Sequence, residues 1–140
     1  MKALTFSFDD GVTQDKRLIE IFNKYGMKAT FNINSECLGK DGYLIREGKE
    51  ISHKKLTADA VAEVYKNHEV AVHTLTHPLL PRIEDDKEII RQVEEDRIKL
   101  SELCGGHIRR LIVVFQYVCG DALLTLRKAA KATFYLVQNT

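Results

Sequence analysis

Thr5-Phe6-Ser7-Phe8-Asp9-Asp10-Gly11 is an apolar, β-prone run that breaks on two acids and a glycine. It reads as a buried strand from Ala3 to Phe8 that delivers two carboxylates to a turn. Successive side chains leave an extended backbone on opposite sides, so Asp9 and Asp10 cannot point the same way and can take different roles. Downstream, Leu18, Ile19, Ile21 and Phe22 fall on one face of a helix from Gln14 to Tyr25, with Gly26 as its stop. Lys28 to Ile33 returns to a strand pattern. Alternating strand and helix predicts an α/β protein with a parallel sheet, whose sites lie at the C-terminal ends of the strands.

The same alternation continues along the chain. Asn34 to Lys54 is polar and glycine-bearing and reads as a long loop, a length often tied to function. Thr57 is positioned to cap a helix from Ala58 to Asn67, and Glu69 to Val72 is a short strand running into His73. Asp85 opens a longer helix with Ile89, Ile90, Val93, Leu100 and Leu103 facing inward, closed by Gly105-Gly106. A strand over Leu111 to Val118, a helix over Asp121 to Lys131 and a strand over Thr133 to Val137 complete the reading, with no internal repeat or low-complexity tract.

At 140 residues, 44% hydrophobic and 29% charged, the chain is expected to form one soluble domain over residues 1–140. A domain of this size buries roughly two thirds of its unfolded surface, so a metal bound here need not be structural. The net charge is +1 with both signs interspersed, which argues against nucleic acid and anionic membrane surfaces as partners. Cys37, Cys104 and Cys119 lack the close pairing of a zinc ribbon or redox motif and read as buried thiols. Met1-Lys2 leads straight into the first strand without a signal peptide, so the expectation for the chain as given is cytoplasmic.

A second constellation follows the predicted strand at Glu69 to Val72: His73-Thr74-Leu75-Thr76-His77-Pro78. Pro78 biases His77 away from helical dihedrals, so the two imidazoles are expected on a turn, which can also converge them. Taken singly, Asp-Asp-Gly is more often a turn or a cap, and histidines four apart are more often hydrogen-bonded surface residues. A phosphatase of the haloacid dehalogenase kind would need Asp-x-Asp, and the position two before Asp10 is Phe8. His53, His68 and His107 have no comparable setting and read as solvated or structural. Glu94-Glu95-Asp96 reads as the wet face of its helix, and Cys104 as a packing residue without a base.

Both segments resemble the first two motifs of the polysaccharide deacetylase (NodB-homology) family, which pairs T-F-x-D-D-G after the first strand with H-[ST]-x-x-H after the third. Asn67-His68-Glu69 stands where that family often has Gly-His-Glu, and Lys28-Ala29-Thr30-Phe31 looks like its second strand. The resemblance covers roughly Ala3 to Leu80 and weakens past Gly106. It implies that Asp10, His73 and His77 bind a divalent metal, most often Zn²⁺ with Co²⁺ or Ni²⁺ as alternatives, and that Asp9 is the catalytic base. Three N/O ligands with an open position is the pattern of a catalytic zinc site. The substrate implied is an N-acetylated amino-sugar polymer or a related acyl sugar, with acetate and a free amine as products.

The third family motif, an aromatic-Pro-aromatic-Gly or Arg-x-Pro segment, has only Phe115-Gln116-Tyr117-Val118 as its nearest text, and Arg109 or Arg110 aligns loosely with the motif arginine. The histidine that serves as general acid falls beyond the end of the chain. Complete (β/α) barrels usually need about 200 residues or more, so an incomplete, truncated deacetylase-type barrel is expected, with exposed edges covered in a homodimer. The alternative function is a catalytically silent metal- or glycan-binding remnant of the family. A truncated or frame-altered coding sequence is a third account of the divergent tail.

Overall fold

The computed structural model describes residues 4–106 and 108. The strand, helix and strand expected over 111–118, 121–131 and 133–137, with Arg109, Arg110, His107 and Cys119, lie outside the described residues.

Three parallel strands carry the structure: β1 (Ser7–Asp9), β2 (Thr30–Ile33) and β5 (Glu69–Val72), in the order β1-β2-β5. Asp9 pairs with Asn32 and Asn32 with Ala71, so the three strands end side by side. Helix α1 (Asp15–Lys24) joins β1 to β2. The segment expected as a helix over 58–67 is shorter: a 3-10 turn at Ala58–Ala60 and α2 at Val61–Tyr65, with no side-chain cap from Thr57. Helix α3 (Asp86–Cys104) is as expected, its Lys87 N–H capped by the Asp85 side chain and its end turned by Gly105 at φ 62°.

Period-2 alternation gives the sheet two unlike faces. Phe8, Phe31, Val70 and Val72 turn to the core with Ile19 and Phe22 of α1, Tyr65 of α2, and Ile89, Val93 and Leu100 of α3. Aromatic rings dominate that core: Phe31 lies 4.8 Å from Tyr65 and 5.6 Å from Phe8, and the His68 ring meets Phe31 edge-on at 5.5 Å. Ring pairs of this kind add about 0.5–1.5 kcal/mol each beyond their buried area. Ser7, Asp9, Thr30 and Asn32 occupy the opposite face and bond across the strands, Asn32 Nδ2 to Ser7 Oγ at 2.9 Å and Thr30 Oγ1 to a Glu69 carboxylate oxygen at 2.5 Å. Ile21, expected on the buried face of α1, is 44% exposed.

The stretch expected as a loop over 34–54 carries structure of its own. It opens with a 3-10 turn, Ser35–Cys37, and then forms an antiparallel hairpin of β3 (Tyr43–Arg46) and β4 (Lys49–Ser52). Glu47 and Gly48, at φ 52° and 72°, supply the two positive dihedrals of a type I′ turn, whose twist matches the strands it joins. No described helix is long and apolar enough to cross a membrane.

Tyr65, 1% exposed, donates its hydroxyl to Asp15 Oδ2 at 2.6 Å. Burial pushes the Asp15 carboxyl above its ordinary pKa, and this bond only partly offsets it. Removing the donor in Tyr65→Phe leaves a buried carboxylate short of a partner, at a cost of about 1–3 kcal/mol. The loss raises the folded-state pKa of Asp15 further, so the folded variant binds the proton more tightly than the unfolded chain does. The destabilisation is therefore smallest below about pH 4 and grows toward pH 7. Urea unfolding of both proteins across that range checks the sign.

Candidate metal centre

Asp10 begins where β1 stops, its N–H donating to Asn32 O at 2.8 Å. It sits at φ 81° and Gly11 follows at 61°. A side chain at Gly11 would press on Ile33 Cγ2 at 3.2 Å, so both conformation and space require glycine there. This reversal sends the Asp10 carboxylate toward the segment after β5. Asp9, one residue earlier, stays on the polar face and accepts from Asn32 Nδ2 at 2.6 Å on Oδ1. The two acids thus diverge, as their adjacency requires.

The second half of the site is a turn, His73 to His77, in which six backbone polar groups have designated partners. The His73 N–H reaches Ile33 O at 3.2 Å and Asp96 Oδ2 at 3.1 Å. Asn34 Nδ2 donates to His73 O at 2.5 Å and Thr74 O at 2.9 Å. The Leu75 N–H donates to Gln92 O at 2.8 Å, Leu75 O accepts from Glu36 N–H at 3.1 Å, and the Thr76 N–H donates to Gln92 Oε1 at 3.0 Å. Thr74 and His77 hold φ 69° and 56° inside this frame. Left-handed dihedrals at non-glycine residues cost about 1–3 kcal/mol each and persist only where the surroundings impose them. Three of the four such residues among those described belong to this site, and the fourth, Glu47, is the hairpin turn.

The result is convergence. One ligand atom each from Asp10, His73 and His77 lies within 4.8 Å of the others. Asp10 Oδ1 is 3.7 Å from His77 Nε2, and the two imidazole rings are 5.0 Å apart. Donors around a tetrahedral ion at roughly 2.1 Å stand about 3.4 Å apart, so the carboxylate and two imidazoles fit a divalent cation after small side-chain rotations. His73 is buried while Asp10 and His77 are half-buried, which leaves one side open.

Burial works against the Asp10 charge, but Lys55, His77, His53 and His73 together outweigh it and hold the carboxyl below its ordinary range. Lys55 Nζ is 3.4 Å from Asp10 Oδ1, and His53 Nε2 is 2.9 Å from Oδ2. His53 is therefore no bystander, contrary to the expectation drawn from its isolated place in the sequence. Asp96 corrects a second expectation. Fully buried rather than on the wet face of α3, it accepts from Ser35 N–H and Oγ–H and from His73 N–H. Burial pushes its carboxyl up to about 6 against the bonds that favour its charged form. His68 is structural, taking the Ala29 N–H on Nδ1 at 3.3 Å. Cys37 and Cys104 are free and half-buried, with thiols that burial pushes up.

The chain matches the family model described as "Polysaccharide deacetylase" over residues 1–138. No curated protein matches it in sequence. Among solved structures it is similar to the deacetylase PplD of Streptococcus pyogenes in complex with acetate, at 18% identity and a TM-score of 0.63, covering 93% of this chain and 54% of that one. It is also similar to IcaB from Ammonifex degensii (16% identity, TM-score 0.65, 88% and 55% covered). A family 4 carbohydrate esterase from Streptomyces lividans in complex with acetate shares 15% identity and a TM-score of 0.59, with 92% and 58% covered. These likenesses establish the fold, and the chain spans little more than half the length of each of these structures.

Replacing Asp96 by alanine strips acceptors from the Ser35 and His73 N–H groups at once. We expect a loss of about 2–3 kcal/mol in urea unfolding at pH 7, a larger effect than Glu95→Ala on the solvent side of the same helix.

Proposed function

Because the chain belongs to the polysaccharide deacetylase family, we propose that it is a metal-dependent hydrolase that removes N-acetyl groups from amino-sugar polysaccharides or related acyl sugars. The convergence of Asp10, His73 and His77 from two strand ends carries this reading. An imidazole and carboxylate set suits Zn²⁺ best, with Co²⁺ and Ni²⁺ compatible. When bound, the ion supplies a Lewis acid that polarises the acyl carbonyl and acidifies a water molecule.

The chain's own residues divide the remaining work. Asp10, His73 and His77 hold the cation, on a frame fixed by Asn34, Gln92 and Asp96. Asp9 is the base: Asn32 fixes its Oδ1, and Oδ2 takes the proton of the water that attacks the acetyl carbon. The C–N bond then breaks and the leaving amine needs a proton. The proton that Asp9 has taken is available to that amine, and a separately positioned general acid adds about 10²–10⁴-fold in rate. For the architecture we propose a deacetylase-type barrel built on the parallel β1-β2-β5 sheet, with exposed sheet edges closed by a second copy of the chain.

The first test is metal content by elemental mass spectrometry on chain purified without a chelating tag, with acetate release from a chitin oligomer measured in parallel. We expect about one ion per chain, lost in Asp10→Ala and His73→Ala. In Asp9→Asn we expect the ion to be kept and acetate release to fall by 10²-fold or more. A loaded protein that releases no acetate is a silent remnant of the family. Absence of bound metal after zinc or cobalt supplementation overturns the hydrolase reading.

A further inference from the structure

His53 is delivered to the site by a segment outside both motifs. The chain leaves β4 and runs antiparallel to the turn after Asp10. The Thr13 N–H donates to Lys54 O at 2.8 Å, the Leu56 N–H to Gly11 O at 2.9 Å, and Gln14 Nε2 to Ser52 O. On its other side the same segment is tied back by the His53 N–H to Gly42 O at 2.8 Å and the Lys55 N–H to Lys40 O at 2.9 Å. Held from both flanks, it presents His53 and Lys55 to the Asp10 carboxylate, with side chains only 25% and 12% exposed.

Which proton sits where follows from the atoms. Asp10 is ionised and can only accept, so His53 Nε2, 2.9 Å from Oδ2, carries hydrogen and donates. The same nitrogen cannot then accept from Lys55 Nζ at 3.2 Å; that approach is two donors converging on one carboxylate. A protonated Nε2 has no lone pair for a cation, so His53 is not a fourth ligand by this atom. Its bond engages Oδ2, while Oδ1 lies 3.7 Å from His77 Nε2 and 3.4 Å from Lys55 Nζ.

We propose that His53 is a positioning residue for the metal centre, fixing the rotation of the Asp10 carboxylate so that Oδ1 rather than Oδ2 is turned toward His73 and His77. This rests on the metal-site reading above and adds a residue that neither motif contains. Asp10 sits at a left-handed φ at the end of a three-residue strand, and its carboxylate is held by the short His53 bond on Oδ2 and by the longer approach of Lys55 Nζ, 3.4 Å from Oδ1. Partners that orient a metal-binding carboxylate typically contribute 10- to 100-fold in affinity.

The full chain, stripped by chelator, is titrated with Co²⁺ and Zn²⁺ by calorimetry, and the Co²⁺ visible spectrum is recorded. His53→Ala is expected to bind about 10- to 100-fold more weakly with unchanged stoichiometry and a shifted d–d band. Gln places an amide N–H at about the reach of Nε2, whereas Asn matches only Nδ1. His53→Gln is therefore expected to recover most of the affinity and His53→Asn to behave like alanine, a contrast that a merely structural role would not produce. If all three bind as wild type while Asp10→Ala binds nothing, His53 does not position Asp10 and the metal site stands. If the folded wild-type chain binds neither ion, the site reading fails and this proposal with it. Should His53→Ala fail to fold, the Gln and Asn pair decides alone, and equal affinities in the two overturn the proposal.

Discussion

Taking a carboxylate out of water costs several kcal/mol unless hydrogen bonds replace the solvent, and Asp96 meets that condition by drawing together three segments far apart in sequence. It extends from the middle of α3 to the residues just past β2 and to the first residue past β5. Its charge is tolerable only while those N–H groups point at it, and they point at it only while the strand ends stay in register. Asn34 and Gln92 extend the same logic, one reaching two carbonyls of the His73 turn and the other two of its N–H groups through backbone and side chain. The histidines are therefore placed by a polar frame behind them rather than by contact with each other.

That frame explains why strained dihedrals collect where they do. Asp10, Thr74 and His77 adopt left-handed conformations that their types disfavour, and each lies next to backbone groups already committed to partners. The aromatic core on the far face of the sheet anchors the strands against which this strain is held. Polar Ser7, Asp9, Thr30 and Asn32 on the near face hold Asp9 in a hydrogen-bond set separate from that of Asp10, His73 and His77.

Much of this was legible from residues alone, and the reasons are physical. Apolar runs ending in Asp-Asp-Gly and in His-Thr-Leu-Thr-His mark strand ends because hydrophobic period and turn chemistry are local signals. Pro78 announced a turn rather than a helix at His77. The supporting residues gave weaker signals. Asp96 hides within an acidic run, although Ile89, Val93, Asp96 and Leu100 follow i, i+4, i+7, i+11 spacing, so a polar residue stood on the buried stripe. The hairpin was missed because its turn is Glu-Gly rather than Asn-Gly or Asp-Gly, and because its strands are exposed on both faces and show no buried alternation. His53 was unreadable in principle from one sequence, since its partner lies 43 residues away and is reached only through pairing of two irregular segments.

The span of Asp96's bonds also orders events in time. Its partner Ser35 lies 61 residues upstream, and closing a loop of that length spends chain entropy before any contact returns it. The His73, Leu75 and Thr76 N–H groups find their α3 acceptors only once that helix has docked, so the frame behind the two histidines needs α3 in place. Any partly folded form that has β1, α1 and β2 but not α3 contains Asp10 without its histidines in place. Opening of the His73 and Leu75 N–H groups to solvent therefore requires α3 to separate from the sheet rather than one turn to fray.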